Sequence, residues 1–309
     1  MPSLPPSNRS TNSALAGMGL MLAGTGLFSL NDALGKWLVA SYSVGELLLI
    51  RSMAALILLA PLIRRGGIAA FTDAPRPALQ IIRVILSTIE VAMFFWAVSY
   101  LPLADTVTFY LAAPIYVTAL SVVLLREEVG WRRWTAVVVG FAGVVLALRP
   151  SDATFTLPAL IALAGSMVFA LLMIATRELR ETSNTVLVAA QVAGTFMFGA
   201  VTAPLVWITP SMRDLALLLL FGVFALMALA CVNRSLTLAP ASVVVPYQYT
   251  IIVWAILLGY IVFSDLPDVF TLCGAAIIIA AGLYIFWREQ IRSGNKPPLR
   301  LRGWCRRKS

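Results

Sequence analysis

The chain has 309 residues, 60% of them apolar and only 12% charged, with a formal net charge of +9 and a mean hydropathy of +0.91. A soluble domain carries about 25% charged residues, so this composition excludes a water-soluble globule: there is too little polar surface to cover the apolar residues. The length would fit two soluble domains, but apolar runs recur from end to end, which indicates one integral membrane domain.

Ten spans are predicted, at 14–39, 43–63, 78–99, 103–125, 134–149, 156–176, 184–208, 212–233, 239–264 and 267–287. Most approach the roughly 20 residues a helix needs to cross about 30 Å of hydrocarbon; the fifth is short. The first span could pass for a secretory signal, but it continues through Asn31, Asp32 and Lys36 without a convincing cleavage site, so it is read as retained. With the N-terminus placed inside, the cytoplasmic segments hold Arg9, Arg64, Arg65, Arg76, Arg126, Arg132, Arg133, Arg177, Arg180, Arg234 and the basic tail. The outside loops hold only Arg149 and Arg213. By the positive-inside rule both termini are therefore cytoplasmic. The N-terminal tail is 1–13 and the Gly/Pro/basic tail 289–309; the latter is suited to anionic headgroups and is a weak candidate for nucleic acid, which is not expected as a partner. Cys231, Cys273 and Cys305 show neither ligand spacing nor a disulfide framework.

The chain repeats itself. Residues 101–143 and 236–282 each run from a short Leu/Ala connection into a Pro-interrupted span, an acidic turn (Glu127/Glu128, or Asp265) and a span of small residues. Two halves of five spans follow, 14–149 and 150–288. Five is odd, so the second half enters the membrane inverted. Pro114 in the fourth span and Pro246 in the ninth occupy corresponding places, and an inverted repeat with broken helices points to a secondary transporter. Each proline removes a backbone donor and frees a carbonyl that lipid cannot satisfy. A plain kink and a substrate-lining role both fit.

The stretches "DALGKWL...SVGELLLIRSMAALILL", "AVSYLPLADTVTFYLAAPIYVTALSVVLLREEVGWRRWTAVVVGFAGVVLALRP" and "LTLAPASVVVPYQYTIIVWAILLGYIVFSDLP" resemble the two EamA-type repeats of the drug/metabolite transporter superfamily, over about 14–288. The resemblance implies an all-α membrane protein of ten helices with cytoplasmic termini, a central cavity between the halves, and the last helix of each half packed outside that core. Relatives move amino acids, nucleotide-like metabolites, vitamins or drugs, in either direction. In the fifth and tenth spans, Ala136 and Gly143, Gly140 and Ala147, Gly274 and Ala281, and Ala275 and Gly282 are each seven apart, which makes small faces for close helix contact.

Six charges fall inside the first three spans: Asp32, Lys36, Glu46, Arg51, Arg83 and Glu90. Each costs on the order of 3 kcal/mol at a helix centre, so they pair or face water. Asp32 and Lys36, four apart with the acid first, are expected to form an intrahelical salt bridge. Glu46, Arg51 and Arg83 lie where snorkelling to an interface relieves the cost. Glu90, two turns beyond Arg83, sits mid-span, either lining the cavity or locked in an ion pair. Phe94, Trp96, Tyr110, Tyr247, Gln248, Tyr249 and Trp254 supply the apolar and polar mixture of a small-molecule pocket, with Tyr110 and Tyr247 the preferred pair.

With no histidine there is no Ser-His-Asp or Cys-His arrangement and no histidine metal site, and neither a P-loop nor a cofactor motif is present. The reading is a non-enzymatic, multi-pass transporter of the bacterial inner membrane that carries a small polar or zwitterionic metabolite by alternating access. A channel or an intramembrane enzyme is the alternative. The expected substrate-binding residues are Asp32, Arg83, Glu90, Trp96, Tyr110, Pro114, Pro246, Tyr247 and Tyr249. Homodimerisation and proton coupling stay open, with Glu90 the candidate proton-linked group.

Overall fold

The computed structural model describes residues 8–66, 75–124, 131–148, 156–179, 181–238 and 244–294. The basic tail past 294, the Glu127/Glu128 turn, Arg149 and Arg180 lie outside the described residues, as does the side chain of Pro246. Among the described residues all regular structure is helical: α1 (Asn8–Val39), α2 (Val44–Gly66), α3 (Pro77–Val98), α4 (Leu103–Leu111), α5 (Ala113–Leu124), α6 (Trp131–Leu148), α7 (Leu157–Glu178), α8 (Asn184–Thr202), α9 (Met212–Leu238), α10 (Ile251–Phe263) and α11 (Val269–Gly294). Two 3-10 turns, Ala203–Val206 and Val245–Thr250, follow α8 and precede α10.

Seven helical segments are long and apolar enough to cross a membrane, and two shorter ones, Trp134–Ala147 and Tyr247–Phe263, are apolar as well. Their outer faces are greasy: Ile57, Val138, Met197 and Val201 are all well exposed. That inverts the soluble pattern and suits a lipid surround. The chain is an integral, multi-pass membrane protein.

Helix ends follow local chemistry. Pro77 and Pro158 sit in the first turns of α3 and α7, where a missing N–H costs nothing. Ser183 caps α8 by accepting from Val186 N–H at 3.4 Å, and Asp268 caps α11 by accepting from Phe270 N–H at 2.6 Å. The fourth span breaks at Ala112, between α4 and α5. Pro114 has no N–H to give the carbonyl of Tyr110, one turn back. The ninth span breaks differently, opening as the 3-10 turn that contains Pro246. There Thr25 Oγ1 and Thr250 Oγ1 share a hydrogen bond of 3.1 Å, and Ser29 Oγ donates to the Ile251 carbonyl at 3.3 Å, so α1 supplies polar partners at the break.

The four closest helix pairs join the two halves, α1 with α9, α6 with α11, α2 with α8 and α3 with α7, and α4 meets α10 more lightly. Numbered by the ten spans expected from the sequence, these are 1 with 8, 2 with 7, 3 with 6, 4 with 9 and 5 with 10, a set that maps onto itself when every expected span is exchanged with the one five places on. The α6–α11 contact uses the expected small face. A Cβ on Gly274 would stand 2.7 Å from the Gly143 carbonyl oxygen, and one on Gly143 would stand 3.1 Å from the Gly274 carbonyl oxygen. At Gly274 a larger residue would force the two helices apart, and at Gly143 it would be tight.

Candidate functional site

Four polar residues share one depth. Asp32 lies seven residues before the end of α1 at Val39, and Arg51 seven after the start of α2 at Val44. Glu90 lies eight before the end of α3 at Val98, and Tyr110 seven after the start of α4 at Leu103. At 1.5 Å per residue each stands roughly 10–12 Å from the short connections 40–43 and 99–102. Asp32, Arg51 and Glu90 act on one another electrostatically, and the Tyr110 hydroxyl donates to the Glu90 carbonyl oxygen at 3.4 Å. All four residues are half-buried.

Aromatic rings wall this group. The Arg51 guanidinium lies 4.7 Å from the Phe221 ring centroid and 5.7 Å from that of Phe95, and those two rings meet edge to face at 5.3 Å. Phe94 stands edge to face with Tyr110 at 5.1 Å, and Phe169 of α7 flanks Tyr110 at 6.0 Å. Gly35 gives Phe95 and Phe221 room against α1, and Gly165 leaves space for the Tyr110 hydroxyl. Each cation–π contact contributes about 0.5–2 kcal/mol and helps to hold the guanidinium beside the two rings. Two carboxylates, one guanidinium, a phenol and an apolar wall can grip a small, charged organic solute.

Sequence reasoning placed Arg51 near an interface and missed it. Its signal was position: it stands about 10 Å into α2, a long way for a guanidinium to snorkel. The expected Asp32–Lys36 bridge is corrected. Lys36 Nζ pairs with Asp265 Oδ2 at 2.7 Å, past the end of α10, and lies 4.6 Å from the Phe263 ring centroid. An acid from another helix, beside an aromatic face, outcompetes one on the same helix, and Asp32 is left to accept from Asn31 Nδ2 at 3.3 Å. Lys36→Met and Asp265→Asn should therefore couple by about 1 kcal/mol in a double-mutant cycle of thermal unfolding, while Lys36→Met and Asp32→Asn add independently. Coupling to Asp32 in place of Asp265 would reverse this assignment.

Two more expectations of snorkelling are corrected. Arg83 is buried at 6% exposure: Nε donates to Thr176 Oγ1 at 2.9 Å, Nη1 to the Leu187 carbonyl at 3.0 Å and Nη2 to Gln191 Oε1 at 3.3 Å. It bolts α3 to α7 and α8, and the charges acting on Glu90 are those of Arg51 and Asp32. Glu46 is wholly buried, and its Oε2 accepts from Ile208 N–H at 3.2 Å. Nearby, the Tyr42 hydroxyl donates to Asp214 Oδ2 at 2.8 Å, and that bond holds the phenol above its ordinary range.

The remaining aromatics disperse. Trp96 lies tilted against Tyr100, ring centroids 4.8 Å apart, and lines a separate apolar pocket of about 310 Å³ with Val44, Met93 and Phe198. Tyr247 packs with Met18, Met21 and Val232, on the part of α1 well before Asp32, so it does not meet Tyr110. Tyr249 sits against Gly282 of α11.

The EamA-like transporter family model matches twice, at residues 15–149 and 156–287. Among curated proteins, the chain is 28% identical to the S-adenosylmethionine uptake transporter of Rickettsia prowazekii (strain Madrid E) over 270 residues, 87% of this chain and 91% of the relative. It is 26% identical to the riboflavin transporter of Vibrio cholerae, over 79% of this chain and 83% of that one. To the pseudopaline exporter CntI of Pseudomonas aeruginosa it is 24% identical, over 86% and 94%. A solved crystal structure superposes with a TM-score of 0.60 at 14% identity, covering 93% of this chain and 99% of the other, a likeness that speaks to the fold alone. The two family matches together span nearly the whole helical region, and the chain belongs to the EamA-like transporter family of the drug/metabolite transporter superfamily, with two EamA repeats in tandem.

Proposed function

We propose that the chain is a secondary transporter that carries a small polar or zwitterionic organic metabolite across a bacterial inner membrane. Ten spans form two five-helix halves, 14–149 and 150–288, inverted relative to each other, with both termini cytoplasmic. The helix pairing that maps onto itself under a five-span exchange supports the repeat, and the basic residues of the inner loops support the orientation. Alternating access is a rocking of the halves about a midplane site. That mechanism suits a fold whose principal helix contacts all run between halves.

One observation carries the reading: Asp32, Arg51 and Glu90, with Tyr110, meet at a common depth inside the bundle. Charges at that depth are costly unless they do something. Pro114 belongs with them in this proposal, since the fourth span breaks just past Tyr110 and this proline sits in the first turn of the next helix. Arg83, Trp96, Tyr247 and Tyr249, and with them Pro246, serve the scaffold in this proposal. The relatives' named cargoes are dissimilar and their named directions differ, so neither cargo nor direction is taken from them.

Purified protein in proteoliposomes should take up at least one member of a metabolite library, the hits chosen by thermal stabilisation; a ligand at a hundred times its Kd stabilises by roughly 2.7 kcal/mol. Asp32→Asn should lower that uptake at least about tenfold at equal reconstitution. Wild-type uptake by Asp32→Asn for every hit would remove the site from the pathway.

A further inference from the structure

Two buried polar atoms in and beside this cluster lack partners, and they are of opposite sense. Arg51 Nη1 is buried and finds no acceptor, and among the described residues no carboxylate lies within salt-bridge distance of Arg51 although Asp32 and Glu90 both act on it. Asn31, at 2% exposure, gives its amide N–H to Asp32, which fixes which way the amide points and leaves Asn31 Oδ1 buried without a donor. A buried donor and a buried acceptor each cost about 1–3 kcal/mol when left unpaired. They are also what a ligand reads.

We propose that the cluster binds an α-amino-acid head group, its carboxylate on Arg51 and its ammonium among Asn31 Oδ1, Asp32 and Glu90. This rests on the reading of the chain as a transporter with its site at this depth. Phe95 and Phe221 flank the guanidinium, whose own planar fork can donate two parallel hydrogen bonds to one carboxylate. An ammonium has three N–H groups and no acceptor, which matches an amide oxygen beside carboxylates. A simple anion would satisfy Arg51 and face two acids. A simple cation would satisfy Asn31 and the acids but leave Nη1 unpaired. A zwitterion answers both, and because the cluster has one more acid than base, the rest of the ligand tolerates a positive charge better than a negative one.

The test is binding to the purified full chain, measured by calorimetry. The probes are the standard L-amino acids and S-adenosylmethionine, with the methyl ester and the N-acetyl derivative of each binder. The intact acid should bind at least about tenfold tighter than either derivative. Arg51→Met should equalise acid and ester, and Asn31→Leu should narrow the gap between amine and N-acetyl; each variant is compared only with itself, so lost affinity alone decides nothing. An ester that binds wild type as tightly as its acid, an acid preference that survives Arg51→Met, or a panel without any binder overturns the inference. Proteoliposomes separate the two readings. Uptake of an uncharged solute such as riboflavin with no amino-acid binding leaves the transporter and removes the zwitterion, while acid-selective binding with no transport of any bound probe does the reverse.

Discussion

Arg83→Met should lower the stability of the detergent-solubilised protein by about 3 kcal/mol or more, read as a Tm roughly 5–10 °C below wild type. The side chain makes three charge-assisted hydrogen bonds to two other helices, and the substitution leaves the Leu187 carbonyl, Gln191 Oε1 and Thr176 Oγ1 without their donor. Thr176 already gives its own proton to the Leu172 carbonyl at 2.7 Å, so it cannot compensate by donating elsewhere. Hydrogen bonds between membrane helices average only about 0.6 kcal/mol, because helices in lipid find other partners. Three that share one buried cation fail together, which places the expected loss above that average. Arg83→Lys keeps the charge but has a single ammonium where the fork reached three acceptors, and should fall between. If methionine leaves Tm unchanged, the bolt between α3, α7 and α8 carries no weight, and Arg83 returns to the list of residues free to meet substrate.

Much of this was legible in the sequence, for reasons that can be named. Span length and the recurrence of apolar runs gave the helical membrane class, and Pro114 marked a break that the chain makes at Ala112. The small residues of the fifth and tenth spans marked a crossing that closes at Gly143 and Gly274. Depth within a span singled out Glu90, because a mid-helix carboxylate has nowhere to snorkel. Partners were less readable. Lys36 has an acid four residues away and takes another 229 residues along the chain, and local spacing holds no trace of that choice. Arg83 and Glu90 share a helix and a spacing of two turns, yet Arg83 is claimed by α7 and α8 while Glu90 answers to Arg51 on α2. Arg51 was misread because a charge near a span's start is usually interfacial. The aromatics were chosen by type and span, and type does not say which way a ring turns: Tyr110 turns inward to Glu90, and Tyr249 turns to Gly282.

If a proton is the coupling ion, Glu90→Gln should abolish gradient-driven accumulation while exchange of labelled for unlabelled substrate persists. Glutamine keeps the size and much of the hydrogen bonding of the side chain but cannot take up or release a proton. Coupling needs a group that meets substrate and proton at the same place, and Glu90 qualifies by its company: the Arg51 guanidinium and the Asp32 carboxylate act on it, and the Tyr110 phenol is bonded to its backbone. With one cation between two carboxylates, a proton on either acid changes which of them Arg51 favours, so loading the proton and loading a charged solute compete for the same charge. Exchange needs no net proton movement and should persist at saturating substrate, with the lost carboxylate showing as a raised KM. The measurement is accumulation driven by an imposed pH gradient beside counterflow at equal pH, in the same proteoliposomes. Accumulation by Glu90→Gln equal to wild type at equal protein would move the coupling role to Asp32, to be tested by Asp32→Asn. Accumulation by wild type that ignores the gradient altogether would mean that no proton is carried, and the two acids would then be there for the solute's own charge.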